Sequence, residues 1–264
     1  MLWLCGVVHT SVSTHPCLGL LLTPTMGNRP SLPRFGLWWA ADTGCYRQGA
    51  RFDLAQYLTW LERLTPQRFD CLFATAPDVV GDATATLARS LPVLPQIRAQ
   101  GFDAALVAQD GLEALEVPWS AFDVLFIGGS TGWKLSAAAT DLIAEAQRRR
   151  RWVHMGRVNS LKRLRAAAQM GCESADGTFL AAAPDRNSRR VQAWLAALEA
   201  CPSLWQPDRS WVERETEPPE WYEMAQQDPD DPASDDPDTG DPLLLEYLID
   251  SRTMAYRPWK VWPR

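Results

Sequence analysis

No run in this chain approaches the ~20 consecutive apolar residues that a bilayer-spanning helix needs, so no membrane partner is expected. The amino-terminal stretch lacks a basic leading segment. His9, Ser11, Ser13, His15 and Pro16 interrupt it before the short apolar run 18–22, which makes it a poor match to a secretory signal. CxxC pairs are missing as well. The six cysteines, Cys5, Cys17, Cys45, Cys71, Cys172 and Cys201, do not form the even framework of small secreted domains, and read as reduced thiols in a cytoplasmic protein. Cys5, His9, His15 and Cys17 have the residue types of a zinc site but not a familiar spacing. No other set of residues suggests a metal, and no cofactor is expected.

What is present is an ordinary globular balance, 46% apolar and 22% charged, with 13 Trp residues. Such Trp residues serve core packing or base stacking. The net charge of −6 conceals a division along the chain. Residues 207–250 hold 15 Asp or Glu against Arg209 and Arg214, a balance of −13, whereas the remainder holds 17 acids against 24 bases, or +7. A basic body is compatible with a polyanionic partner.

Short apolar runs alternate with longer stretches of helical period, and the runs end repeatedly in Asp, Gly or Asn. This is the pattern of βα units. Strands are expected at 18–23, 36–41, 71–76, 104–108, 124–127, 152–155, 172–175 and 178–182, with helices at 54–64, 83–100, 137–150, 161–170 and 189–199. Seven or eight strands with interleaved helices favour a (β/α)8 barrel of the TIM type over an open doubly wound sheet. The expected organisation is a barrel domain over 1–206, an acidic, proline-rich disordered linker over 207–242, and a segment over 243–264 that docks back on the barrel.

In a parallel barrel the polar segments after the strands share one rim, where such folds keep their active sites. These segments are Asp42-Thr43-Gly44, Pro77-Asp78, Gln109-Asp110-Gly111, Gly128-Gly129-Ser130, Gly156-Arg157-Val158-Asn159 and Asp176-Gly177. Some of them only cap helices or make turns, and Asp82 and Ser136 fit helix N-caps.

Taken in order, the segments from Trp38 to Thr178 carry a resemblance. Trp39 to Tyr46 resembles an Asp-Ser-Gly-Gly-Phe segment, Val107 to Gly111 a Val-Gln-Gly-Gly turn, and Phe126 to Gly129 a Leu-Gly-Gly turn. His154-Met155-Gly156, a helix, and then Gly171 followed by Asp176 resembles a Leu-Met-Gly, helix, Gly-to-nucleophile stretch. These are motifs of the tRNA-guanine transglycosylase superfamily, and the chain is most similar to its phage DNA-modifying paralogues that insert 7-deazaguanine bases. The resemblance implies a pentosyltransferase that exchanges guanine in a nucleic acid, DNA rather than tRNA, for a free 7-deazaguanine base. The setting implied is cytoplasmic, a host cytoplasm for a phage protein.

By the same resemblance Asp176 is the nucleophile toward C1′ and Asp42 the second carboxylate, which moves a proton to the departing base. Asp78, Gln109, Gly128, Gly129, Met155 and Gly156 form the base site. Asp82 competes with Asp78 for its role, Gly128-Gly129 also reads as a simple turn, and Asp176-Gly177 as a turn between two short strands. Arg157, Lys162 and Arg163, with Arg148 to Arg151, Arg186, Arg189 and Arg190, suit a phosphate track, and Trp119 and Trp133 suit stacking on an extruded base. The chain departs from the family in having Gly177-Thr178-Phe179 for Leu-Pro-Thr-Arg and no Cys-x-Cys-x-x-Cys after Asp176. Two other classes remain open at this level: a hydrolase or phosphodiesterase using His154, and an inactive barrel that binds nucleic acid or a partner.

Overall fold

The computed structural model describes residues 1–6, 12, 15–25 and 37–199. Eight parallel strands close into a barrel in the order β1 to β8. They are β1 (Leu2–Cys5), β2 (Leu18–Leu22), β3 (Trp39–Ala41), β4 (Cys71–Thr75), β5 (Ala104–Ala108), β6 (Val124–Ile127), β7 (Trp152–Met155) and β8 (Ser174–Gly177). Closure is made by β1 on β8, where Leu4 pairs with Asp176 and Cys5 with Gly177. The fold is therefore an α/β barrel of the TIM type.

Strands covered on both faces read as continuous apolar runs, and β5 (AALVA) and β6 (VLFI) are buried along their whole length. Alternate side chains then divide between two cores. Leu4, Ala40, Phe73, Ala105, Val107, Val124 and Phe126 fill the barrel interior. Trp3, Cys5, Leu20, Trp39, Leu106, Leu125, Ile127, Val153 and Met155 belong to the larger core shared with the helices. A shift of register between Trp39 and Ala41 on β3 lets the consecutive residues Leu72 and Phe73 of β4 both pack with the interior cluster.

The surrounding helices are α1 (Cys45–Gln48), α2 (Leu54–Leu64), α3 (Ala83–Ser90), α4 (Leu94–Ala99), α5 (Thr131–Lys134), α6 (Ala137–Arg148), α7 (Leu161–Gln169), α8 (Phe179–Ala182) and α9 (Pro184–Glu199). Several of their starts are capped by side chains, at Asp82 and Ser136 as the sequence suggests and at Ser160 besides. Asp82 accepts from the Ala85 N–H, Ser136 from Ala139 and Ser160 from Arg163, each satisfying an amide that the first helical turn leaves open.

The structure corrects the sequence expectation at several elements. The first strand is Leu2–Cys5, which the sequence analysis leaves unassigned; four residues carry too little pattern to declare themselves without the β8 partner. Of the strand expected at 178–182, residues 179–182 form helix α8 instead, so Asp176 does not sit in a turn between two strands but within β8 itself. The helix expected over 83–100 is two helices, because Pro92 has no N–H to continue the ladder and the chain turns at 91–93. Helix α9 begins at Pro184, five residues before its expected start. The segments 207–242 and 243–264, with their expected disorder and docking, lie outside the described residues.

Candidate active site

The rim at the carboxyl ends of the strands gathers polar groups onto the inner face. Asp42 directly follows β3, Thr75 ends β4, Gln109 follows β5, Gly128 follows β6, Gly156 follows β7, and Asp176 is the third residue of β8. Counting by twos from interior residues reaches each of them. Ala40 leads to Asp42, Phe73 to Thr75, Val107 to Gln109, Phe126 to Gly128, His154 to Gly156, and Ser174 to Asp176.

Asp42 Oδ1 accepts the Gly44 N–H at 2.8 Å and the Thr43 hydroxyl at 3.3 Å. Burial pushes this carboxyl up from 3.8 to about 6; the Gly44 bond opposes the rise, and the negative charges of Asp176 and Asp78 add to it. Asp42 therefore lies near enough to both other carboxylates to feel their charge. Gly44 makes the capping turn possible with φ of 64°, a left-handed conformation that costs glycine little.

Asp78 is braced on both oxygens. Oδ1 accepts from the Cys45 thiol at 2.9 Å and Oδ2 from the Gln109 amide at 2.6 Å. Burial, helped by the charge of Asp78, pushes the Cys45 thiol up to about 11, so it remains an S–H donor. The Gln109 carbonyl oxygen in turn accepts the N–H groups of Gly81 and Gly129, at 2.9 and 3.0 Å. With Gln109 only 2% exposed, its amide is committed to tying together the loops after β4, β5 and β6. The amide expected to read a base edge is thus a brace for Asp78.

Asp176 receives His154 Nε2 at 3.0 Å, and its side chain is 14% exposed. Space beside it depends on Gly156, where a Cβ would lie 2.7 Å from the Phe126 ring and 3.3 Å from Asp176 Oδ1. Lys134 approaches from α5 and donates to the Gly156 carbonyl at 2.7 Å. Burial lowers its ammonium to about 7, reinforced by the cations of Arg157 and Arg163 and opposed by Asp176 and Asp110. Arg157 holds φ of 60°, unusual for a residue with a Cβ, while its guanidinium donates to the Gly129 carbonyl. Asp110 accepts both the N–H and the hydroxyl of Ser130, fixing the β6 loop that carries Lys134.

Other expected site residues fall elsewhere. Met155 points away from the barrel interior into the core beneath the helices, since it alternates with the inward His154. Lys162 and Arg163 lie in the first turn of α7, Lys162 partly exposed and Arg163 buried. Arg148 to Arg151 do not flank the Asp176 rim: they end α6 and precede β7, at the opposite end. There Arg148 and Arg149 pair with Glu145, and Arg151 with Asp123 and the Trp119 carbonyl. Trp119 is at that end too, beneath Arg149. Trp133 is on the rim, its indole donating to Glu113 at 2.8 Å. Cys5 is buried and donates to the Gly19 carbonyl, and His15 Nδ1 accepts from the Cys17 N–H; His9 lies outside the described residues. Among the described residues no three His, Cys, Asp or Glu side chains group to hold a metal ion.

Sequence reasoning missed Lys134 and the contact of His154 with Asp176. The contact of His154 with Asp176 comes from the pairing of β7 with β8. Lys134 was not findable, since a short helix after a Gly-Gly turn has no periodicity that reveals its buried side.

No family model matches the chain, and no curated protein matches it. Among solved structures, a ligand-free tryptophan synthase from M. tuberculosis is similar at 13% identity and a TM-score of 0.42, covering 73% of this chain and 89% of that one. A PaMucR phosphodiesterase in complex with c-di-GMP is similar at 15% identity and a TM-score of 0.37, covering 54% and 60%. At these values neither bears on activity.

Proposed function

We propose that this barrel is a pentosyltransferase that replaces guanine in a nucleic acid, DNA rather than tRNA, by a 7-deazaguanine base. The observation that carries the reading is the pair Asp176 and Asp42 on one inner rim, with Asp42 pushed up to about 6 by burial and thereby suited to deliver a proton near neutral pH. Asp176 attacks C1′ through the oxygen not held by His154. The C1′–N9 bond breaks as the ester forms, and its electron pair leaves with guanine, which takes the Asp42 proton. The incoming base then attacks C1′ through its own ring nitrogen, the ester bond breaks back to the Asp176 carboxylate, and that nitrogen's proton returns to Asp42. Two displacements retain the configuration at C1′.

The base would lie over Gly128 and Gly156, where the backbone packs too closely to admit a Cβ, with Asp78, braced by Gln109 and by the Gly129 turn, at its edge. Met155 serves this site by seating the end of β7 in the outer core. Arg157 and Lys162 supply positive charge for the flanking phosphates on the side of the rim nearest Asp176, and the buried Arg163 adds to that field from beneath. The missing Leu-Pro-Thr-Arg and cysteine motifs fit a DNA substrate better than tRNA.

The test is exchange of labelled 7-deazaguanine base into guanine-containing DNA and tRNA, followed by denaturation. Wild-type protein is expected to incorporate label into DNA and to carry a covalent DNA adduct. Asp176→Asn should bind DNA, form no adduct and exchange nothing, because an amide is a poor nucleophile. Undiminished exchange by that variant removes Asp176 from the mechanism.

A further inference from the structure

Among the described residues, the polar side chains of His154 and Ser174 lie fully buried within the barrel. Their neighbours constrain the hydrogen bonds that they make. The Trp152 indole N–H reaches Ser174 Oγ at 2.8 Å, and an indole can only donate. Ser174 Oγ is therefore the acceptor there and keeps its own proton to donate, and His154 Nδ1 stands within reach of it, also at 2.8 Å. A carboxylate only accepts, so the imidazole proton belongs on Nε2, donated to Asp176 Oδ1 at 3.0 Å, and a neutral ring then accepts the Ser174 hydroxyl at Nδ1. The rings of Phe73 and Phe126 pack on the imidazole at 5.0 and 4.5 Å between centroids, which holds its plane and keeps water from competing.

From this geometry we infer that Trp152, Ser174 and His154 form a positioning relay that fixes the orientation of the Asp176 carboxylate. The inference rests on the reading of Asp176 as the reacting group. A carboxylate turns freely about its last torsion, whose energy profile is broad; the relay pins one oxygen. Among the described residues no other hydrogen bond holds this carboxylate, so the second oxygen stays free for the substrate. The bond to a carboxylate in a dry core is of the charge-assisted kind. The relay touches no substrate, and its effect should fall on kcat rather than on KM, because a misdirected nucleophile binds normally and attacks slowly.

Two measurements on the full-length protein test it. The first is the nitrogen NMR spectrum of 15N-histidine-labelled protein, in which a His154→Gln sample identifies the His154 signals among those of the three histidines. The expected form is the Nε2–H tautomer, with that preference weakened in Ser174→Ala. An Nδ1–H tautomer overturns the relay whatever the activity. The second compares His154→Gln, whose amide N–H can stand where Nε2 stood, with His154→Asn, whose shorter side chain can reach only Ser174. Gln should retain most of the exchange rate, while Asn should lose about 100-fold in kcat with little change in KM. Equal rates for these two variants, both folded, also overturn it. The tautomer measurement needs no substrate: an Nε2–H His154 in a wild-type protein that exchanges no base refutes the transglycosylase reading and leaves the relay standing.

Discussion

Replacing Asp42 by Asn removes a carboxyl that the fold holds in an unfavourable place, so the variant should be more stable and less active. The difference between the ordinary value of 3.8 and about 6 corresponds, at about 1.4 kcal/mol per unit, to about 3 kcal/mol. Below 3.8 the group is protonated in folded and unfolded chains alike, and folding bears no cost. As pH rises from 3.8 through 6 the unfolded chain ionises first and wild-type stability falls; above 6 the whole cost is present. Asn keeps an oxygen for the Gly44 N–H and the Thr43 hydroxyl without that charge. Urea unfolding should therefore find Asp42→Asn more stable than wild type by up to about 3 kcal/mol near pH 8, and by little near pH 4. Glu173, which burial pushes up to about 7, titrates in both proteins and cancels in the comparison. Exchange activity should fall by about 10² to 10⁴. A stability gain that is the same at both pH values, or none at all, would refute the assignment of burial as the cause.

Three further outcomes follow from the same geometry. Gly156→Ala puts a methyl group against the Phe126 ring and the Asp176 carboxylate, and should cost about 1–3 kcal/mol in thermal or urea unfolding together with at least about a tenfold loss of kcat; a neutral result would mean that the space beside Asp176 is not needed. Gln109→Ala strips the acceptor from the Gly81 and Gly129 N–H groups and the donor from Asp78, so unfolding free energy should drop by about 3 kcal/mol, with weaker binding of the free base measured by calorimetry. Arg157→Ala should lower DNA affinity and reduce the slope of log affinity against log salt by about 1, whereas Arg149→Ala, at the far end of the barrel, should alter neither.

The rim was legible for a chemical reason. In a parallel barrel the residues that follow the strands fall at one end, so Asp, Gly and Gln after apolar runs mark a single surface before any coordinates are known. Asp42, Gln109, Gly128, Gly129, Gly156 and Asp176 all stand there. Gln109 shows the limit of that logic, because its position was readable but its partners were not. The bonds to Asp78, Gly81 and Gly129 join loops 20 to 31 residues apart, and no local pattern encodes them. The arginines of 148–151 were misplaced for a related reason: a run of charge states that a surface is wet, and only the direction of the following strand says which end of the barrel it occupies.

By itself the sequence determined the alternation of buried strands with amphipathic, capped helices, because burial on both faces and helical period are local requirements of the chain. From that alternation come the α/β class and the rim of carboxylates and glycines. Tertiary structure alone decided closure and facing. The first strand exists as a strand because β8 and β2 pair with it, and Trp3 reaches the Val158 carbonyl across 155 residues of chain. Met155 and His154 are neighbours in sequence, yet one packs under the helices and the other lies inside the barrel; which of the two faces inward is set by register against β6 and β8. Placed inward, His154 meets Ser174 and Asp176, an arrangement that depends on long-range pairing and so leaves no trace in local composition or spacing.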